Sequence, residues 1–268
     1  MIGIVVPAHD EQNHIDACIS SLVRASACPQ LRGEEVLIVV VLDACSDRTG
    51  AIARSLGAKT IDVQARNVGI ARCMGAQAAL HAGSRWLAFT DADSTVAPDW
   101  LAAQLALQSD AVCGTVAVDD WGIYGQRMQR HYEATYTDRD GHAHIHGANM
   151  GVSAQAYLRA GGFMALASSE DVALVAALQA SGASIAWSAA PRVVTSARQN
   201  FKAHGGFGAR LEQIELEKTW AGQSVAAPQG VANQANFAYP EALENTDAAA
   251  VAAGLFAPLL NADRMSAA

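Results

Sequence analysis

Apolar, β-branched runs alternate with segments of helical spacing along the first hundred residues of the chain. The pattern predicts strands at 2–6, 35–42 and 60–63 and helices at 11–25 and 48–56. The second strand is almost continuously apolar, as expected for a parallel strand covered by helices on both faces. This order is typical of βαβ units. It predicts an α/β fold with a mainly parallel, Rossmann-like central sheet and helices on both of its faces.

A further helix is predicted after Asn67, a residue type that commonly caps helix N-termini. Ile70, Met74 and Ala78 follow it at a spacing of four residues, so the three should line one face of that helix.

The fourth predicted strand, at 85–89, runs directly into Asp91-Ala92-Asp93. Ionised carboxylates at the end of a buried strand carry a desolvation cost that pairing, hydrogen bonds or a metal must offset. A hard cation such as Mg²⁺ or Mn²⁺ takes oxygen ligands of this kind. Acidic turns after strands are also common, so the motif by itself leaves a metal site and a simple acidic turn as alternatives.

The composition of the chain limits which partners it can bind and where in the cell we expect it. The 268-residue chain is 51% hydrophobic and carries a formal net charge of −8, which argues against a nucleic-acid partner bound through a broad basic patch. Its five cysteines are scattered and never spaced Cys-x-x-Cys, which fits a reducing compartment. We find no signal peptide, and the late apolar stretch at 248–260 is too short for a membrane span. We therefore expect a cytoplasmic protein, with peripheral attachment to the inner face of the membrane as an alternative.

Polar and acidic residues recur at three predicted strand ends, at 7–11, 43–49 and 91–93. In open α/β sheets, functional residues gather at the carboxyl ends of the strands, where the loops leave a crevice. Packing alone does not explain three such loops, so the pattern favours a binding site.

The motifs, taken in order, resemble those of family 2 glycosyltransferases of the GT-A fold over roughly residues 1–211. The segment at 7–11, PAHDE, is similar to the family's Pro-x-Tyr-Asn-Glu opening, and the segment at 43–49, DACSDRT, is similar to its Asp-Gly-Ser-x-Asp-x-Thr motif. Asp91-Ala92-Asp93 resembles the family's metal motif. The other matching segments are 67–72, 147–150, 160–163 and 169–171.

The resemblance implies a nucleotide-sugar site in the half at 1–110, with UDP as the expected nucleotide. His9 would lie on the base, although a solvated turn histidine is the alternative, and Asp43 would accept a hydrogen bond from uracil. Arg72 would face either the nucleotide phosphates or the aspartates of the metal motif. The implied nucleotide-binding residues are Pro7, Ala8, His9, Glu11, Asp43, Arg72, Asp91 and Ala92.

Asp91 would contact the ribose or a metal-bound water, while Asp93 would ligate Mg²⁺ or Mn²⁺. A late histidine, His204, is a further candidate metal ligand. It lies in the basic segment 196–207, which also contains Arg198 and could close over a diphosphate or could be a solvated loop.

The half at 111–220 should recognise the acceptor and supply the general base. The resemblance implies that Asp171 is the base and Glu170 a supporting group. Acidic residues also favour a helix N-terminus for dipole reasons, and the preceding serines are suitable caps. The residues implied around the donor sugar and acceptor are Gly147, Asn149, His146 and Arg198.

Three histidines, His142, His144 and His146, recur at a period of two. In an extended segment their rings would share one face, which could bind zinc. The preferred interpretation is a half-buried strand with a polar face near the acceptor cleft, with His146 the member that reaches the active site.

These inferences predict one GT-A domain at 1–220, followed at 221–268 by a linker and an Ala-rich helical tail. The tail is a candidate either to cover the acceptor site or to form a homodimer. The implied reaction is metal-assisted, inverting transfer of one sugar from a UDP-sugar to a hydroxyl of a small-molecule, glycan or lipid-linked acceptor. It would be non-processive, because the Gln-x-x-Arg-Trp motif of polysaccharide synthases is absent. The alternatives are a degenerate nucleotide-sugar binding module and a sugar-nucleotide pyrophosphorylase, although the latter's glycine-rich, lysine-bearing opening loop is missing.

Overall fold

The computed structural model describes residues 1–197, which form one mixed sheet and the helices that flank it. The strands are β1 Ile2–Ala8, β2 Val36–Asp43, β3 Lys59–Val63, β4 Trp86–Phe89, β5 Thr95–Val96, β6 Ala111–Ala117, β7 Met150–Ser153 and β8 Ile185–Val194. The helices are α1 Ile15–Ser26, α2 Thr49–Ser55, α3 Val68–His81, α4 Trp100–Ala106, α5 Gly125–Thr135, α6 Ala154–Arg159 and α7 Glu170–Ala180, with short 3₁₀ turns at Pro29–Leu31 and Gly122–Tyr124.

The strand order is β3-β2-β1-β4-β7-β6-β8-β5. Strands β1 to β4 are mutually parallel, β7 is antiparallel to both of its neighbours, and β8 is parallel to β6. The predicted α/β class and its mainly parallel sheet are confirmed. Because β1, β2 and β4 are parallel neighbours, their carboxyl ends meet at one edge of the sheet.

Helix α3 packs closely on the sheet because its inner face is built from small residues. Ala71, Gly75, Ala76 and Ala79 are buried there, and a Cβ on Gly75 would overlap the side chain of Val5. The predicted face of Ile70, Met74 and Ala78 lies beside this stripe and is half-buried. Because α3 lies so close to the sheet, only small side chains fit on its inner face.

Two helix starts test the capping predictions. Asn67 does cap α3, because its side-chain oxygen accepts a hydrogen bond from the backbone N–H of Ile70. The predicted serine cap of α7 is wrong: Ser169 has a left-handed backbone and makes no capping hydrogen bond through its side chain. Helix α1 begins at Ile15 rather than at residue 11, because residues 10–12 are used to bind the neighbouring loop.

Over the part of the chain that the structure describes, no helix is long and apolar enough to cross a membrane. The predicted domain boundary at residue 220 and the tail at 221–268 lie outside that part.

Candidate active site

The loops after β1 and β2 are joined to each other through two carboxylates. Asp10 accepts hydrogen bonds from the backbone N–H groups of Ser46 and Asp47, at 2.7 and 3.2 Å, and Asp47 accepts one from the N–H of Gln12 at 3.0 Å. The bond from Ser46 is the largest influence on Asp10 and lowers the pKa of its carboxyl group. These bonds hold the two loops together at the sheet edge.

His9 lies at this junction. Its Nδ1 is 2.6 Å from the backbone carbonyl of Asp43, and because a carbonyl only accepts, Nδ1 is the donor. The side chain is 32% exposed. The imidazole is thus held at one edge while part of it stays accessible. Pro7 and Ala8 precede it at the end of β1, and Glu11 is buried just after it.

Asp43 is bound by the turn that leads into α3. Its Oδ1 accepts from the N–H groups of Ala65 and Arg66, both at 2.8 Å, and its Oδ2 accepts from the N–H of Asn67 at 2.7 Å. A carboxylate has about four acceptor sites, so three are occupied inside the protein. In the folded protein, Asp43 therefore stabilises the turn that leads into α3.

Arg72, one turn into α3, is buried between two carboxylates from distant parts of the chain. Its Nη2 donates to Asp91 Oδ1 at 2.6 Å, and its Nη1 donates to Glu170 Oε1. Its side chain is 4% exposed, as is Glu170. Of the two predicted positions for Arg72, the structure has the one that faces the Asp91-Ala92-Asp93 turn.

Asp171 follows Glu170 in the first turn of α7 and is only partly buried. Its Oδ2 accepts from the backbone N–H of Gly147 and its Oδ1 from that of Val172, both at 2.8 Å. Gly147 itself lies against Arg72, and a Cβ on this glycine would overlap the guanidinium. The structure therefore brings four predicted residues together: Arg72, Gly147, Glu170 and Asp171.

Asp93 is half-buried in the turn after β4, and it lines a cleft together with Asp119, Asp120 and Thr195. A carboxylate-rich lining suits a hard cation such as Mg²⁺ or Mn²⁺. Cys18 lies beneath this turn and contacts the Asp91 carbonyl; burial, and then the charges of Asp93 and Asp91, raise the pKa of its thiol.

Among residues 1–197, one group of metal-capable side chains has its ligand atoms within 4.8 Å of one another: Asp10, Cys45 and Asp47. Both of its carboxylates already accept the backbone hydrogen bonds that join the two loops. The predicted His204 and Arg198 lie outside the described residues.

The side chain of Asn149, a residue predicted around the donor sugar and acceptor, is fully buried. Its amide donates to the carbonyls of Thr115 and Pro191, and its oxygen accepts from the indole N–H of Trp100. Asn149 joins α4, β6 and β8 from inside, because a buried amide needs partners for both of its polar ends.

The three histidines share one side of their segment, as predicted, but the segment is not a strand. Their rings stack, with centroids 5.3 Å apart for His142 and His144 and 5.8 Å apart for His144 and His146. The stack continues through Tyr136, whose ring is 4.1 Å from that of His144, to Tyr132. Stacked rings do not converge their nitrogens on one ion, so this arrangement does not favour zinc.

His146 lies at the site end of this column, immediately before Gly147. Its Nε2 is 2.9 Å from the Tyr136 hydroxyl, and burial, followed by the neighbouring His144 and His142, lowers its pKa to about 3. Sequence reasoning missed the tyrosines. Their spacing of four residues, Tyr132 to Tyr136, was the available signal for a shared helical face.

Comparison with known proteins places the chain in a wider group. A family model described as glycosyl transferase family 2 matches residues 3–163. A search of curated proteins found no match.

Several solved structures share the fold. TarS of S. aureus, residues 1–349, in complex with UDP has 16% sequence identity and a TM-score of 0.54, with 81% of this chain and 70% of that chain covered. The mannosyltransferase PcManGT of Pyrobaculum calidifontis, in complex with GDP-Man and Mn²⁺, has 18% identity and a TM-score of 0.58, with coverages of 85% and 65%.

Glucosyl-3-phosphoglycerate synthase of Mycobacterium tuberculosis, in complex with Mn²⁺, UDP and glucosyl-3-phosphoglycerate, has 17% identity and a TM-score of 0.52, with coverages of 74% and 72%. At such identities the likeness extends to the fold, and this chain spans 65 to 72% of the chains in these three structures, and 42% of a longer TarS chain. The predicted GT-A type of α/β fold is confirmed.

Proposed function

The chain belongs to glycosyl transferase family 2, and from that premise we propose that it transfers a sugar from a UDP-sugar to an acceptor hydroxyl with inversion. The observation that carries this proposal is the contact between the two halves of the site. Arg72 binds Asp91 on the donor side and Glu170 beside the candidate base Asp171. This contact would bring the donor and the base to one edge of the sheet.

The donor nucleotide would lie over the loops after β1 and β2. His9, fixed at its Nδ1 and partly exposed, offers a flat ring to the base. Asp43 is 5% exposed and already accepts three hydrogen bonds, and its remaining acceptor site would receive the imide N–H of uracil. Solved relatives support a nucleotide site of this kind, because their complexes contain UDP, UDP-GlcNAc or GDP-Man.

A divalent cation fits the acidic cleft. Asp93 would ligate Mg²⁺ or Mn²⁺ there, with Asp119 and Asp120 among the cleft's other carboxylates. The bound cation would stabilise the negative charge that develops on the departing diphosphate. Two of the relatives contain Mn²⁺ in their complexes. His204 stays a candidate ligand, and Arg198 a candidate contact to the donor.

Asp171 would act as the general base. The N–H groups of Gly147 and Val172 hold its two oxygens, and a carboxylate in that position can take the proton of an acceptor hydroxyl. The hydroxyl oxygen attacks the anomeric carbon as the bond to the diphosphate breaks. A single displacement of this kind inverts the configuration.

The acceptor would be a hydroxyl of a small molecule, a glycan or a lipid-linked sugar. The proposal includes one domain at 1–220 and a tail that covers the acceptor or forms a homodimer. It also includes a cytoplasmic location, with the inner membrane face as the alternative.

The first experiment is a thermal-shift screen of nucleoside diphosphates and nucleotide sugars, with and without Mn²⁺. Wild type should be stabilised most by UDP or a UDP-sugar together with the metal, and Asp93→Ala should lose the metal-dependent part. Asp62→Ala, an exposed aspartate on β3, is the matched control and should behave as wild type. If no nucleotide gives a metal-dependent shift, the assignment of the donor half is wrong.

A second measurement separates the enzyme from a nucleotide-sugar binding module. Wild type should turn over the bound donor, at least by slow hydrolysis, and Asp171→Asn should abolish turnover while keeping donor affinity. Binding without any turnover would favour the module.

A further inference from the structure

We propose that Arg72 is a positioning residue that sets the orientation of the base Asp171 and couples it to the donor-side Asp91. The proposal deepens the function above and rests on it, because Asp171 is the base only there. The coupling runs from Asp91 through the guanidinium to Glu170 and to the Gly147 peptide, and both of these lie next to Asp171.

Both terminal nitrogens of the guanidinium are engaged in this coupling, whereas the buried Nε has no hydrogen-bond partner among the described residues. Its two terminal nitrogens donate to carboxylates that are 19 and 98 residues away in sequence, and its side chain is 4% exposed. A planar fork can hold two carboxylates at fixed angles, whereas an ammonium group acts as a point charge without that geometry. Arg72 therefore acts on the reaction through other residues.

The backbone around Arg72 is as closely fitted as its side chain. At the start of α3, Gly69 N–H donates to the Leu166 carbonyl at 3.0 Å, and a Cβ on Gly69 would overlap the Met164 carbonyl. Asn67 donates from its side chain to the Ala165 carbonyl. The first turn of α3 is thus fixed against the segment that leads into α7, so the guanidinium has a defined place beside Glu170.

The Gly147 peptide carries the coupling to Asp171. Its N–H donates to Asp171 Oδ2 at 2.8 Å, while its Cα lies against the guanidinium with no space for a side chain. Without the guanidinium, this peptide loses its support and Glu170 loses its cation. The hydrogen bond that orients Asp171 should then weaken.

Hydrogen exchange at the Gly147 amide tests the coupling without any substrate. In Arg72→Lys, this amide should exchange at least about tenfold faster than in wild type, while amides of β1 and β4 keep their rates. Arg85→Lys is the matched control, because Arg85 forms a bidentate ion pair with Glu34 but is 55% exposed and distant in the fold. Unchanged exchange at Gly147 in Arg72→Lys overturns the proposal.

Kinetics test its consequence for the reaction. In Arg72→Lys and in Gly147→Ala, kcat for transfer or donor hydrolysis should fall by about a hundredfold, while the donor KM changes by no more than about threefold. The double variant should lose little more than either single one, because both changes act on the same hydrogen bond. Arg85→Lys should keep wild-type kcat.

The two tests separate the two proposals. If wild type turns over no nucleotide sugar, the proposed function fails, and the exchange result still decides whether Arg72 supports Gly147. If wild type is active and Arg72→Lys keeps its kcat, the positioning role is wrong. Should Arg72→Lys fold poorly, Gly147→Ala and Glu170→Gln carry the same comparison, because each removes one link of the coupling.

Discussion

Two buried polar networks meet at the candidate site. Burial of polar groups costs free energy, and the two networks offset this cost in opposite ways. Around Arg72, burial is compensated by charge, because the guanidinium lies between Asp91 and Glu170. Around Tyr136, the buried groups are neutral aromatic rings. Burial lowers the pKa of the neighbouring His144, which keeps that ring uncharged. The first network joins the two halves of the chain, whereas the second lies within the later half.

The difference shows what each network is sensitive to. A buried ion pair fails when one partner is removed, because the other charge is left without compensation. A column of neutral histidines fails when protons are added, because the charged rings would be buried side by side. The first should respond mainly to substitution, and the second mainly to pH.

The largest effect is expected from Arg72→Met, which leaves Glu170 buried without its cation. The free energy of unfolding at pH 7.5 should fall by about 3–5 kcal/mol, measured by urea denaturation. Adding Glu170→Leu should recover much of this loss, because two apolar side chains can replace a buried pair. Arg85→Met, which breaks an exposed pair, should cost about 1 kcal/mol or less. Equal losses for the two arginines would mean that burial adds nothing to the ion pairs of Arg72.

The sequence predicted most of the first network's surroundings and little of the second. Local signals identified the strand ends and the Asn67 cap, because periodicity and capping depend on neighbouring residues. The pairing of Arg72 with Glu170 spans 98 residues and depends on how α7 folds back onto α3. No local pattern encodes that distance, although the family resemblance placed both residues in one site.

Two other residues show why the remainder was missed. Asn149 belongs to a motif of the predicted site, the segment 147–150, but its side chain points into the core. There its amide binds Trp100 and two backbone carbonyls. His146 was expected on a strand, yet its ring is placed by stacking and by the Tyr136 hydroxyl. Both positions follow from tertiary contacts that single-sequence patterns do not contain.

The next largest effect should come from acid, acting on the histidine column. A histidine that stays neutral in the folded protein takes up a proton on unfolding once the pH falls below about 6.5, so acid favours the unfolded state. With its folded pKa at about 3, His146 should by itself lower the free energy of unfolding by about 2 kcal/mol between pH 7 and pH 5.

Carboxylates act in a lower pH window. Hydrogen bonds from Ser184 and Ser188 lower the pKa of Asp110 and Asp140, so their contribution is lost only below about pH 4. Urea denaturation at pH 7.5, 6.5, 5.5 and 5.0 therefore measures the effect of histidine protonation on stability separately from that of these carboxylates. His144→Phe keeps a ring in the stack and should flatten this dependence, whereas the exposed His81→Gln should not change it. A dependence that is equally steep in all three proteins would rule out the column as its source.

A smaller effect is expected from Tyr136→Phe, which removes one hydroxyl from the column. That hydroxyl accepts from the buried N–H of Val116 and bonds His146 Nε2, so its loss should cost about 1–2 kcal/mol at pH 7.5. Tyr157→Phe is the matched comparison, because the Tyr157 hydroxyl accepts from the N–H of Phe163 outside the column. A hydroxyl that donates to Nε2 favours a neutral imidazole, so we expect stability to depend less on pH in Tyr136→Phe. The same pH dependence in both variants would show that the column does not act as one unit.

The smallest effect should come from Asp138→Asn, which removes a negative charge that acts on His142 and His144 of the column. Asp138 accepts from Thr115 and forms an ion pair with Arg192, in which both side chains are about half exposed. Water screens such a pair, so the free energy of unfolding should change by about 1 kcal/mol or less, measured by urea denaturation at low and high salt. A loss as large as that of Arg72→Met would mean that charge compensation also holds the second network together. The contrast between charged and neutral burial would then no longer explain the site.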